Sequence, residues 1–301
     1  MDYGSGSAGF GILSVIVVVV LLVWTGLAVW IATHRPAFAG RRARSWVGDR
    51  LSGPLGVLAR WLSVDAAAAL ALLSGAVVVA VLAAGFAELL DNVIEGEVIA
   101  YVDQPVSEWM AAHRNLWLTS TMKVLTHLGD ASALALVVIL LSAWVGWRAR
   151  SWLPAVLAVS GMVGVGVVLV AAKHVVGRTR PPSWIAAITE DGFSFPSGHS
   201  TGAFALAVLG AWMLGRWVFA SWPARVAGWA IALAAAALIG FSRIYLGVHY
   251  ISDVLAGAFL GTGWAVAVVL VGAWWEDSRR SALPAPTPGR GVQRQGQAGQ
   301  R

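Results

Sequence analysis

Between positions 242 and 253 the chain reads Ser-Arg-Ile-Tyr-Leu-Gly-Val-His-Tyr-Ile-Ser-Asp, which sets an arginine, a histidine and an aspartate at the margin of a strongly apolar segment. Asp253 follows His249 by four positions. That is close to one helical turn, so the two share a face if a helix begins near Val248. A carboxylate so placed can accept one imidazole N–H, fix the tautomer and leave the other ring nitrogen free to attack. Arg243, six residues before the histidine, could hold an anion in front of that nitrogen. Buried histidine–aspartate pairs also serve structure alone, so the weight falls on what accompanies this one upstream.

Two further polar clusters do accompany it. Lys173, His174, Arg178, Arg180, Pro181 and Pro182 close one apolar run, and Pro196-Ser197-Gly198-His199 opens the next. Taken singly, Lys173 and Arg180 read as residues snorkelling from a span end, and Pro-Ser-Gly as a capped helix start. Taken together they are the complementary parts of phosphoryl transfer, which needs cations on the non-bridging oxygens, an in-line nucleophile and an acid for the leaving oxygen. Lys173, Arg180 and Arg243 can hold the oxygens. Ser197 and Gly198 offer a hydroxyl and backbone amides at a helix N-terminus. His249 can be the nucleophile oriented by Asp253, and His199 the acid that later activates water. Arg178 could also touch a ligand; His174 reads as interfacial, and His34, His113 and His127 as surface or packing residues. No carboxylate set resembling a magnesium site stands among these residues, so the expected reaction needs no metal and no cofactor. Only Lys123 and Lys173 are lysines among 21 basic residues, a hint that a compact ammonium matters at position 173.

The elements that must position these groups are membrane spans. The chain is 58% hydrophobic and 12% charged, with no cysteine, which excludes disulfide and thiolate chemistry. Its net charge of +6 could suggest nucleic acid. The arginines, however, sit in short blocks between apolar runs, the pattern that orients membrane proteins, so no nucleic-acid partner is expected. Apolar runs predict seven spans near 11–32, 66–87, 131–147, 152–172, 199–215, 226–242 and 249–275. The positive-inside rule puts the N-terminus outside and the C-terminus inside. Residues 45–63 could lie as an interfacial helix on the inner leaflet. The acidic loop 88–130, with Asp103 and Asp130 among its charges, fits the outside and should hold one or two short helices. The 131–147 and 199–215 spans are short, which suits helices packed inside a bundle, and Gly161, Gly164 and Gly166 would allow close helix approach. This alternation brings all three polar clusters to the outer face, where orientation cannot explain an excess of positive charge but an anionic ligand can.

The residues carrying this pattern are Lys173, six intervening positions and Arg180-Pro181; Pro196-Ser197-Gly198-His199; and Ser242-Arg243, five positions, His249, three positions and Asp253. In that order and spacing they resemble the three-part signature of the type 2 phosphatidic acid phosphatase superfamily, which includes the vanadium haloperoxidases. The resemblance covers roughly residues 65–275 as a six-helix core. It leaves 1–64 as an added N-terminal span with a basic cytoplasmic loop and 276–301 as a disordered basic tail. It implies an all-α polytopic bundle of about seven transmembrane helices. It further implies a phosphohistidine on His249 oriented by Asp253, His199 as acid then base, and phosphate held by Lys173, Arg180, Ser197, Gly198 and Arg243. The substrates it implies are membrane lipid phosphates: phosphatidic acid, phosphatidylglycerophosphate, or polyprenyl pyrophosphates such as undecaprenyl pyrophosphate. A small, alanine-rich architecture points to a bacterial cell membrane, with the site on its extracytoplasmic side. Alternatives with the same basic chamber are a lipid phosphotransferase, a vanadate-dependent oxidase and an anionic-lipid transporter. The transporter has no need of a nucleophile with an orienting carboxylate.

Overall fold

A computed structural model describes residues 66–95 and 99–281, together with the isolated positions 53 and 57. Eight α-helices account for most of the described residues: α1 Ala66–Glu95, α2 Gln104–Ala112, α3 Leu116–Thr126, α4 Ala131–Ala149, α5 Leu153–Val176, α6 Gly198–Trp217, α7 Trp222–Tyr245 and α8 Ile251–Ser281. A short π-turn, Ile99–Asp103, leads into α2, and a 3₁₀ turn, His127–Gly129, joins α3 to α4. There is no strand among the described residues. The expected span at 11–32 and nearly all of the interfacial segment 45–63 lie outside the described residues.

Six helices stand where the remaining six spans were expected. Five of them, α1, α4, α5, α7 and α8, are long and apolar enough to cross a bilayer. The sixth, α6, is less apolar because it is the hub: α4, α5, α7 and α8 all pack against it. A helix covered by protein on all sides need not be greasy all round. It can carry Ser200, Thr201, Ala203 and Ala205 fully or nearly buried, and these small residues let its neighbours close in. The outer helices show the reverse pattern, with Val77, Val81, Val163, Val167, Ile231 and Val271 more than half exposed. In water such a surface would aggregate; in a bilayer it is the solvent-facing side. α1 lies against α8.

Close approach is written into specific glycines. A Cβ at Gly161 would lie 2.3 Å from Leu209 on α6, and one at Gly164 would lie 2.3 Å from Trp264 on α8. Gly166 departs from the expectation, since a Cβ there meets nothing within 4 Å. A Cβ at Gly261 would come within 2.2 Å of the Thr201 carbonyl, so the α6–α8 contact that anchors the site depends on that glycine.

Span ends differ from the sequence expectation: α1 runs on to Glu95, past the expected end near 87, and both ends of α8 shift. α8 runs on to Ser281, so residues 276–281 continue a helix instead of beginning a disordered tail. The extension is braced by Arg216, which donates to Glu276 at 2.9 Å. At its other end α8 starts at Ile251, not near Val248. Asp253 accepts the Tyr250 N–H at 2.9 Å, closing the first turn from its third position as a capping box does. His249 therefore stands just ahead of the helix and not on it.

Candidate active site

The loop from Gly177 to Ser197, the first turn of α6 and the α7–α8 connection meet at one end of the bundle. The connection turns sharply at Gly247, whose φ of +70° only glycine adopts without strain, and a Cβ there would lie 2.6 Å from the Ile185 carbonyl. Arg114 staples this turn from the outer segment, donating to the Tyr245 carbonyl at 2.9 Å and also to the Ile185 carbonyl. His249 is thereby delivered into the interior, 2% exposed.

His249 has one ring nitrogen on each side of the problem. Nδ1 lies 3.3 Å from Asp253 Oδ2, and Nε2 lies 3.1 Å from a guanidinium nitrogen of Arg180. A guanidinium only donates, so Nε2 must present its lone pair and Nδ1 must carry the proton given to Asp253. The contact expected from the four-residue spacing is thus made, but across a helix N-terminus. Arg180 also donates to the carbonyls of Val248 at 2.9 Å, Asp191 at 2.9 Å and Gly192 at 3.1 Å, so its guanidinium plane is fixed before any ligand arrives. Lys173, on the last turn of α5, reaches the Phe193 carbonyl in the same loop.

Ser197 caps α6, and its backbone N–H donates to the Asp253 carbonyl at 3.0 Å, tying the start of α6 to the start of α8. Gly198 opens the helix beside it, where a Cβ would meet only Leu169 at 3.5 Å, an ordinary contact. The glycine is therefore not forced by crowding within the protein, which leaves the space at the helix N-terminus open toward a ligand.

Arg243, 1% exposed, closes the other side. It donates to Thr126 Oγ1 at 2.7 Å and pairs with Glu190. The same Glu190 carboxylate stands 4.0 Å from Arg180. Burial pushes the Glu190 carboxyl up, but the bond from Arg243 outweighs that and leaves it below its ordinary range. Three cations with one carboxylate among them leave the cradle with a net charge of two, which matches a phosphomonoester at neutral pH, about −2. Arg243 lies within Coulombic reach of both His249 and His199.

His199 rests on an acid the sequence reading counted only as loop charge. Its Nε2 lies 3.0 Å from Asp130 Oδ1, and His127 Nδ1 lies 2.9 Å from Asp130 Oδ2. The Asp130 carboxyl is raised by desolvation, yet the hydrogen bonds from His127 and His199 bring it below its ordinary range, so it stays ionised and accepts from both rings. Nε2 of His199 therefore carries a proton, and Nδ1 is the nitrogen left to exchange one. The other residues that sequence reasoning missed are Asp103, Ser194 and Glu190. Asp103, one of the charges of the acidic outer loop by sequence, is fully buried. Arg178, considered as a ligand contact, instead points inward: it donates to Asp103 at 2.6 Å and to Asp253 at 2.5 Å. His174 donates from Nδ1 to the Val170 carbonyl of its own helix, and His113 stacks on Trp109, a packing contact.

Beside His199 an apolar groove of about 560 Å³ runs between α4, α5 and α6, lined by Leu134, Val138, Met162, Val163 and Leu169 and open along its length. On α4 it extends from Ala131 to Ser142, roughly 16 Å at the helical rise and so over half the bilayer's hydrocarbon thickness.

A sequence model of the PAP2 superfamily matches residues 151–277, which span α5 through most of α8. The chain is 31% identical over 175 residues to phosphatidylglycerophosphatase B of Bacillus subtilis, covering 58% of this chain and 84% of that one. It is 30% identical over 167 residues to a decaprenylphosphoryl-5-phosphoribose phosphatase of Mycobacterium tuberculosis, covering 54% of this chain and 85% of that one. Its fold is similar to the crystal structure of a transmembrane PAP2 type phosphatidylglycerolphosphate phosphatase from Bacillus subtilis, with a TM-score of 0.60 at 28% identity over 64% of this chain and 94% of that one. An all-helical membrane bundle with these motifs at one end defines the class, and the chain belongs to the PAP2 superfamily, among its membrane lipid phosphatases.

Proposed function

We propose that this protein hydrolyses the terminal phosphate of a membrane lipid phosphate or polyprenyl pyrophosphate through a phosphohistidine on His249, without a metal or other cofactor. The observation that carries the reading is the pair of partners on His249: a carboxylate, Asp253, lies at Nδ1 and a guanidinium, Arg180, at Nε2, so Nδ1 holds the proton and Nε2 the lone pair. In the first step, as the phosphate enters, one of its oxygens takes over the Arg180 N–H that Nε2 accepts, and the freed lone pair attacks phosphorus. The bond to the lipid oxygen breaks with its electron pair, and His199, protonated at Nδ1, gives that oxygen a proton. In the second step His199 takes a proton from water, the water oxygen attacks phosphorus, and the P–N pair returns to Nε2. Lys173, Arg180 and Arg243 bear the charge on the three non-bridging oxygens, with the Ser197–Gly198 helix start alongside.

The groove supports a lipid substrate and its direction. It begins at His199, the residue assigned to the leaving oxygen, and the leaving oxygen is the one attached to the lipid. The chain would thus lie along α4 and α5 while the phosphate meets His249 from the far side, in line. We place the site on the extracytoplasmic side of a bacterial cell membrane with the C-terminus inside, since the arginine blocks at Arg148–Arg150 and Arg216–Arg225 fall at the opposite end of the spans. We assign residues 65–275 to the catalytic core and 1–64 and 276–301 to additions around it.

The decisive experiment is phosphate release by the purified full chain from a panel of phosphatidic acid, phosphatidylglycerophosphate and polyprenyl pyrophosphate in detergent. Turnover of at least one is expected, undiminished by EDTA and inhibited by vanadate, a mimic of the pentacoordinate phosphorus. Loss of activity in EDTA would overturn the metal-free mechanism. Transfer of the phosphoryl group to an added lipid alcohol in preference to water would identify a phosphotransferase.

A further inference from the structure

Behind the His249–Asp253 pair, away from the cradle, lies a second buried ion pair that the reaction described above does not use. Arg178 bridges two carboxylates: one guanidinium nitrogen donates to Asp253 Oδ1 and to Ser252 Oγ at 2.7 Å, and the other donates to Asp103 Oδ2 at 2.6 Å. Asp103 is held in turn by the Ser252 backbone N–H at 3.0 Å and by the Ser252 hydroxyl. The guanidinium lies over the Tyr250 ring, 4.4 Å from its centroid. Asp103 and Asp253 are fully buried and the Arg178 side chain is 5% exposed, so water screens none of these charges.

Asp253 needs little further help to stay in place. It already accepts from Ser194 Oγ, from the Tyr250 N–H and from His249. A cation against its other oxygen has an electrostatic cost: it diminishes the negative charge that must meet the imidazolium formed when Nε2 bonds to phosphorus. Asp103 returns that charge. With Asp103, Arg178 and Asp253 all ionised the cluster carries one net negative charge, and formation of the N-phosphoimidazolium brings it to neutral. Without Asp103 the same step would leave a net positive charge in a fully buried pocket.

We propose that Asp103 is a positioning residue for the phosphohistidine chemistry, acting through Arg178 as the counter-charge that lets Asp253 stabilise the imidazolium. The inference rests on the phosphohistidine reading of the same site. It assigns a catalytic consequence to an acid on the outer segment 99–103, which touches neither substrate nor either histidine.

The test is a charge cycle on the full chain in detergent, with thermal unfolding followed in parallel. Asp103→Asn keeps the shape and an acceptor for Ser252 but takes the net charge to zero. The double variant D103N/R178Q returns it to minus one, with the glutamine amide still able to donate to Asp253. On the lipid phosphate that the wild type turns over, kcat of D103N should fall about tenfold with KM within twofold, a loss of transition-state stabilisation alone. The double variant should recover at least about threefold of that loss. Should D103N not fold, the double variant is read against the wild type instead: the net charge is equal, so kcat should stay within about threefold, and a loss of about tenfold or more in the double variant would overturn the proposal. A D103N enzyme with wild-type kcat, a loss appearing in KM only, or a double variant no better than the folded single would overturn the proposal. Absence of turnover by the wild type on every lipid phosphate would instead overturn the functional reading beneath it.

Discussion

His249 and His199 each rest on an aspartate, yet the two pairs are built in opposite ways. His249 is 2% exposed on a carboxylate that is fully buried and fixed by three further hydrogen bonds, from Arg178, Ser194 and Tyr250; His199 is 16% exposed on Asp130, which is 40% exposed and shared with a surface histidine. The nitrogens that face away from the aspartate differ as well: Nε2 on His249 and Nδ1 on His199. The difference follows from the work proposed for each. A nucleophile acts at one fixed distance and angle and gains from a rigid, dry setting, because misplacement costs rate directly. An acid that becomes a base must admit first a lipid oxygen and then water, so it must sit where solvent can reach.

The largest effects should come from breaking the buried pair. His249→Ala should lower phosphate release by about 10⁴-fold or more, since no phosphoenzyme can form. The variant's thermal unfolding in detergent checks that the bundle survives, and retained turnover would remove His249 from the nucleophile's role. His199→Asn should cost about 10²- to 10⁴-fold on a lipid phosphate. With p-nitrophenyl phosphate, whose phenolate leaves without protonation, the first step should recover while the second stays slow, so labelled phosphoenzyme should accumulate. A variant equally slow in both steps on both substrates would contradict the division of labour.

The aspartates then sharpen the contrast. Asp253→Asn should cost about 10²-fold or more in kcat, because a buried amide can offer the Nδ1–H an oxygen but cannot balance an imidazolium. Asp130→Asn should cost about tenfold or less, because water reaches this pair and screens the lost charge. Measured side by side under one salt condition, equal losses would show that exposure does not separate the two pairs. High salt should narrow the effect at Asp130 and leave that at Asp253 unchanged.

The same contrast explains what could be read from the sequence. His249, Asp253, Arg243, Ser197, His199, Lys173 and Arg180 all lie within a turn or two of a helix end, on segments whose apolar runs announce themselves. Their spacing therefore translated into geometry with little else known. The spacing places the start of α8 near Val248, about three residues early, because Asp253 both caps the helix and pairs with His249 ahead of it. Asp103, Asp130 and Glu190 were not legible. Each sits in a connecting segment where charge reads as solvent exposure, and only the fold brings Asp103 beneath α8, Asp130 against α6 and Glu190 between two arginines. No periodicity encodes such a return. Shortness pointed rightly to α6 as the centre of the bundle but wrongly to α4, which lies on the outside with Leu136, Ile139 and Leu140 more than half exposed.

The smallest effect concerns the groove that leads away from His199. Gly166 lines it, and unlike Gly161 and Gly164 it packs against nothing: a Cβ there finds no atom within 4 Å. Gly166→Leu should therefore fill the groove without disturbing the bundle, and leucine is the better helix former by up to about 1 kcal/mol, so stability should hold or rise. If the lipid chain lies along α4 and α5, KM for a long-chain lipid phosphate should rise about three- to tenfold, as expected when apolar burial of a few methylenes is denied. Turnover of a short-chain, water-soluble phosphate should stay within twofold of wild type, because the cradle and both histidines are untouched. Equal KM changes for the two substrates would mean that the chain leaves the site by another path. The open side of His199 would then admit only water, and the exposure that separates the two imidazoles would belong to the second step alone.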